Sequence, residues 1–103
     1  MQKVALVTGA SRGIGRAIAK KFAVLGASVI VADLNLAGAE ETVAMLDNPT
    51  GEQKHAAVRL DVTKKDDVAA VMAWVGGNYG KLDILMNNAG VSSMHHLVDL
   101  EEK

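Results

Sequence analysis

Thr8-Gly9-Ala10-Ser11-Arg12-Gly13-Ile14-Gly15 separates the apolar run Val4–Val7 from a stretch in which Ile14, Ala17, Ile18, Phe22 and Leu25 recur at helical spacing. The first run has the length of a buried strand, and the second reads as the inward face of a helix. On that reading Arg16, Lys20 and Lys21 lie on the solvent side, and Gly26 stops the helix as a left-handed residue. A strand that enters a helix through such a turn aims several backbone N–H groups at one spot, with the positive end of the helix dipole behind them. That arrangement is a phosphate cradle.

The same alternation continues outward from the turn. Val29-Ile30-Val31-Ala32 reads as a second buried strand, and Ala39, Val43 and Leu46 mark a second helix that Asn48-Pro49-Thr50-Gly51 closes. Ala56–Leu60 is a third strand. Thr63-Lys64-Lys65-Asp66 has the form of a capping box and opens a helix with Val68, Val71, Met72 and Val75 on one face. Trp74, beside that stripe, reads as a helix-packing residue, and Gly76-Gly77 weaken the helix near its end. Ile84-Leu85-Met86 is a fourth strand, followed by a polar loop over Asn87–Ser93.

Strands separated by helices build a parallel sheet, and right-handed crossovers give it the order 3-2-1-4. The expected fold is therefore α/β, a Rossmann-like doubly wound parallel sheet of about four strands, in one partial domain over residues 1–103. The glycine turn then sits at the switch point where strand order reverses. Thr8–Gly15, Asp33, Asp61 and Asn87–Gly90 all follow strand ends on that edge, so four polar segments converge on one crevice.

The glycines stand as Gly9-x-x-x-Gly13-x-Gly15, not in the G-x-G-x-x-G spacing of the usual dinucleotide fingerprint. The same physical roles still apply. Gly9 allows a sharp turn, Gly13 lets a pyrophosphate approach the backbone, and Gly15 permits close helix–sheet contact. Ser11 and Arg12 at the tip offer a hydroxyl and a cation to phosphate oxygens. Three glycines alone make no more than a tight turn; Asp33 adds the second half of the argument. It ends strand two, where a carboxylate accepts hydrogen bonds from adenosine ribose hydroxyls. The competing readings of Asp33 are a solvated strand-end acid or a helix cap. A carboxylate on the ribose repels a 2′-phosphate, whereas Arg12 would attract one. The balance favours NAD over NADP.

Together, Thr8–Gly15, Asp61-Val62 and Asn87-Asn88-Ala89-Gly90 resemble the short-chain dehydrogenase/reductase family over essentially the whole chain. Extended-branch epimerases and dehydratases space their glycines G-x-x-G-x-x-G, which this chain does not. The resemblance implies cofactor-binding roles for Gly9, Ser11, Arg12, Gly13, Ile14, Gly15, Asp33, Leu34, Asp61, Val62, Asn88, Ala89 and Gly90. Asp61 and Val62 would flank the adenine. Asn88, Ala89 and Gly90 would line the nicotinamide-side ribose and pin strand four. Read without the resemblance, Asp61 is a loop cap and Asn87–Gly90 a polar turn.

The family's catalytic set is a serine, a tyrosine with a lysine four residues later, and a helical asparagine, all further along a longer chain. Tyr79 is the only tyrosine, and Asp83 stands four residues on. Ser92 and Ser93 precede the place where the family serine would fall, so no catalytic residue is assigned. Without a general acid, the alkoxide formed from a carbonyl would lack a proton donor. Two readings follow. The chain is the cofactor half of an alcohol/carbonyl oxidoreductase, or it is a non-catalytic binding module or inert truncated product. An alcohol or carbonyl substrate is a partner only in the first case.

Composition excludes other classes. Eleven basic and twelve acidic side chains give a net charge of −1 with no basic block, which argues against nucleic acid or an anionic membrane as partner. No cysteine is present, so there is no disulfide or thiolate metal site. His95 and His96 are adjacent and point apart in extended chain, and His55 is remote, so no metal site is assigned. Apolar runs too short to span a bilayer and a leaderless start give a cytoplasmic expectation. Strand four would be left as an apolar edge, and self-association is expected from it.

Overall fold

In the computed structural model, residues 2–89 are described. The elements run β1 (Val4–Thr8), α1 (Gly13–Val24), β2 (Ser28–Asp33), α2 (Leu36–Ala44), β3 (Ala56–Arg59), α3 (Lys65–Tyr79) and β4 (Ile84–Asn87). All strand pairs are parallel, in the order β3-β2-β1-β4. This is the expected Rossmann-like sheet of four strands. β1 and β2 are central, and successive side chains alternate between two buried faces. Ala5, Val7, Val29 and Val31 face Ala19 and Ala23 of α1 and Ala39 of α2. Val4, Leu6, Ile30 and Ala32 face the other way, towards Val75 of α3. Among the described residues, no helix is long and apolar enough to cross a membrane.

Helix α1 corrects the expected stripe. Its buried positions are Gly15, Ala19 and Ala23, with Ile18 and Phe22 packed at their flank. Ile14 and Leu25 are each 69% exposed, and Ala17 is exposed as well. Small residues line the contact because the helix lies close against the sheet; bulkier ones at those positions would force it away. Gly26 does take the left-handed conformation after the helix, at φ 99°.

Two further expectations change. The capping box does not form: Lys64 is the N-cap of α3, and the Thr63 hydroxyl instead donates to Asp61 at 2.6 Å. Trp74 is not a core residue. It lies 37% exposed with its ring edge-on to Tyr79, centroids 5.9 Å apart. Val75 alone is fully buried in α3, and Val68, Val71 and Met72 pack half-buried beside it on the expected face.

Polar side chains tie the sheet together at the end away from the glycine turn. Gln53, 7% exposed, donates to the Ala23 and Ala27 carbonyls and so satisfies the C-terminal end of α1. His55 accepts from the Val29 N–H at 3.1 Å and donates to the Asp47 carbonyl at 2.8 Å, which puts its proton on Nε2. Asp83 accepts from the Val4 N–H at 2.8 Å and pairs with Lys81 at 3.2 Å.

Candidate functional site

The chain's turns after β1, β2, β3 and β4 border two cavities that share one wall. The larger, 670 Å³, is lined by Ser11, Arg12, Gly13 and Ile14 from the glycine turn, with Asn35 and Asn88 across from them. The smaller, 330 Å³, is lined by Thr8, Leu34, Asp61, Val62 and Ala89. Gly9 and Asp33 border both. All of the sequence-assigned residues within 2–89 except Gly15 therefore border these cavities. Gly15 lies beneath them, and Gly90 falls outside the described residues, as do Ser92, Ser93, His95 and His96.

Each glycine of the turn does a different job. Gly9 has φ 64°, and a Cβ on it would come within 2.8 Å of the Ala89 backbone. A Cβ on Gly15 would overlap the Gly9 carbonyl and crowd the Asn88 side chain. Gly13 has φ 62° and nothing within 4 Å of where a Cβ would stand. Two glycines thus permit backbone contact inside the protein, and the third leaves open space on the cavity side.

Asp33 is fixed by two backbone donors. Its Oδ2 accepts from the Ser11 N–H at 3.1 Å and its Oδ1 from the Asn35 N–H at 2.9 Å. The carboxylate thereby ties the tip of the glycine turn to the start of α2. Each oxygen keeps a lone pair for a further donor. Asp61 is held differently. Its Oδ1 accepts from both the hydroxyl and the N–H of Thr63, and these bonds keep its carboxyl below the usual carboxylate range. It stays charged at the mouth of the smaller cavity.

The turn is sewn to the loop after β4. Thr8 donates its hydroxyl to Asn87 Oδ1 at 2.9 Å and accepts from the Ala89 N–H at 3.0 Å. Asn88 Nδ2 donates to the Gly9 carbonyl at 3.1 Å. Strand four is pinned here.

A family model described as short chain dehydrogenase matches residues 3–103. The chain belongs to the short-chain dehydrogenase family. Among its relatives, galactitol 2-dehydrogenase of Agrobacterium fabrum (strain C58 / ATCC 33970) is 42% identical over 101 residues, covering 98% of this chain and 38% of the relative. A short-chain dehydrogenase/reductase from Burkholderia phymatum, solved in complex with NAD, superposes with a TM-score of 0.72 at 34% identity, over 82% of this chain and 29% of that one. A metagenomic short-chain oxidoreductase solved with NADP gives a TM-score of 0.72 at 32% identity, over 81% of this chain and 37% of that one. The chain spans well under half the length of the curated relatives it matches.

Several side chains at this edge escape a reading of the sequence. Asn35 caps α2 by accepting from the Gly38 N–H at 3.0 Å, and a Cβ on Gly38 would come within 2.7 Å of the Ser11 side chain. The Asn35-x-x-Gly38 pattern after a strand was a readable helix start. Arg16 is not on a solvated face, as its charge and neighbours suggest; it reaches back to Ser11, Glu41 and the buried Thr42. No local sequence signal announces that contact, because Glu41 and Thr42 lie on a different helix.

Proposed function

We propose that this chain binds NAD and forms the cofactor-holding part of an oxidoreductase that interconverts an alcohol and a carbonyl. The observation that carries this reading is Asp33 on the wall between two cavities, its carboxylate already oriented by the glycine turn. A carboxylate so placed accepts from the vicinal hydroxyls of an adenosine ribose. A 2′-phosphate about 4 Å away would be repelled by several kcal/mol at an effective dielectric near 20. Arg12 offers that phosphate a counter-charge, but from an exposed and flexible arm, so NAD is favoured over NADP.

The cavity fits the group. Gly13 leaves a cradle that any Cβ would narrow, the N-terminal end of α1 backs it, and Ser11 and Arg12 reach the place of the phosphates. Asp61 and Val62 border the space for the adenine, and Leu34 stands beside it. Asn88, Ala89 and Gly90 are assigned to the nicotinamide-side ribose. When bound, NAD supplies the hydride acceptor. This chain's own residues bind and orient it. The proton transfer is assigned to groups outside residues 2–89, since Tyr79 is engaged elsewhere: its hydroxyl donates to the Lys54 carbonyl at 2.7 Å, and burial raises its pKa.

Calorimetric titration of the full chain tests this. NAD should bind, NADP should bind at least about tenfold more weakly, and Asp33→Ala should narrow the gap. Absence of binding by either nucleotide would sink the reading.

A further inference from the structure

Arg16 stands in the first turn of α1, where the helix dipole opposes a cation, yet its side chain is only 21% exposed. Three acceptors share its guanidinium. Nε donates to Thr42 Oγ1 at 2.9 Å, and Nη2 donates to the Ser11 carbonyl and to Glu41 Oε1, the latter at 2.8 Å. Thr42 is fully buried and donates onward to the Ala10 carbonyl at 2.7 Å. Two successive carbonyls of the glycine turn are therefore held, Ala10 by Thr42 of α2 and Ser11 by Arg16 of α1. In a trans peptide the N–H points opposite to the C=O. Holding the Ala10 oxygen sends the Ser11 N–H to Asp33, and holding the Ser11 oxygen turns the Arg12 N–H away from Arg16. Arg12, Arg16, Asp33 and Glu41 all border the larger cavity, two charges of each sign.

We propose that Arg16, its charge offset by Glu41, is a positioning residue that, by holding the Ser11 carbonyl, orients the Arg12 N–H towards a dinucleotide's phosphates while giving a 2′-phosphate no net attraction. The proposal rests on the dinucleotide reading above and adds to it a second source of cofactor selectivity, on α2. Lysine could keep the ion pair with Glu41 but cannot span Thr42 and Ser11 together, because it lacks the planar fork. Removing the charge of Glu41 leaves the guanidinium uncompensated at the cavity wall.

Calorimetric titration of the full chain with NAD and with NADP, on wild type, Arg16→Lys and Glu41→Gln, tests it. Arg16→Lys should weaken NAD binding about tenfold, the effect of losing a charge-assisted hydrogen bond. Glu41→Gln should raise the affinity for NADP relative to NAD about threefold, as befits a partly exposed charge. A merely structural role would lower both affinities together and leave their ratio alone. An unchanged ratio in Glu41→Gln, or wild-type NAD affinity in Arg16→Lys, overturns the proposal while the dinucleotide reading stands. A wild-type chain that binds neither nucleotide overturns both.

Discussion

Gly13 and Gly15 are two residues apart and meet opposite constraints, so alanine should cost different things at each. At Gly15 the added methyl overlaps the Gly9 backbone, which cannot rotate out of the way. Gly15→Ala should destabilise the fold by about 3 kcal/mol, the upper range for overpacking. At Gly13 there is room, and only the positive φ opposes a side chain. Gly13→Ala should cost about 1 kcal/mol of stability and act mainly on ligand binding. Urea unfolding beside nucleotide titration separates the two, and equal stability losses would contradict the assignment. Asp83 gives a pH dependence. The Val4 N–H, and behind it Lys81, hold its carboxyl below the usual range. Its contribution is full above the unfolded-chain value and is lost as the pH falls through the lowered one. Asp83→Asn should flatten the acid limb of stability against pH, measured by urea midpoints from about pH 5 downward.

At the scale of elements, α3 and β4 are the least secured. Gly76 and Gly77 lie inside α3, exposed and with open space around each. Alanine at either position should raise stability by up to about 1 kcal/mol, read as a higher thermal midpoint; a fall would mean that something packs there. Among the described residues β4 pairs only with β1, and no strand of theirs lies along its other edge. Sedimentation should show concentration-dependent self-association, and a single monomeric species at all concentrations would exclude it. The elements themselves were legible because the strands are continuous apolar runs and the breaks between them are glycine, proline or asparagine. Their inward faces were less so. Helix α1 packs through Gly15, Ala19 and Ala23, and hydrophobic periodicity is blind to a contact made by absent side chains. Thr63-x-x-Asp66 misled for a related reason: Asp61 competes for the same threonine and wins with a shorter, local bond.

Across the whole molecule, the two ends of the sheet divide the work. Gln53, His55 and Asp83 fasten one end with bonds made inside the protein. The other end gathers the residues whose polar groups face open space, and that clustering follows from topology once the order β3-β2-β1-β4 is known. The sequence disclosed the strand-end turns on the cavity walls but not the part of the larger cavity where α1 meets α2, since Arg16, Glu41 and Thr42 meet only after two helices have docked. Thr8, Asn87, Asn88 and Ala89 join β1 to β4 right under the cavities. A nucleotide that needs both walls would select the state in which that seam is closed, and closing the seam would in turn tighten its grip on the nucleotide. At a hundred times its dissociation constant such a ligand adds about 2.7 kcal/mol to stability, a large share of what a small domain possesses. Such a ligand would then shield the seam from proteolysis in proportion to its occupancy.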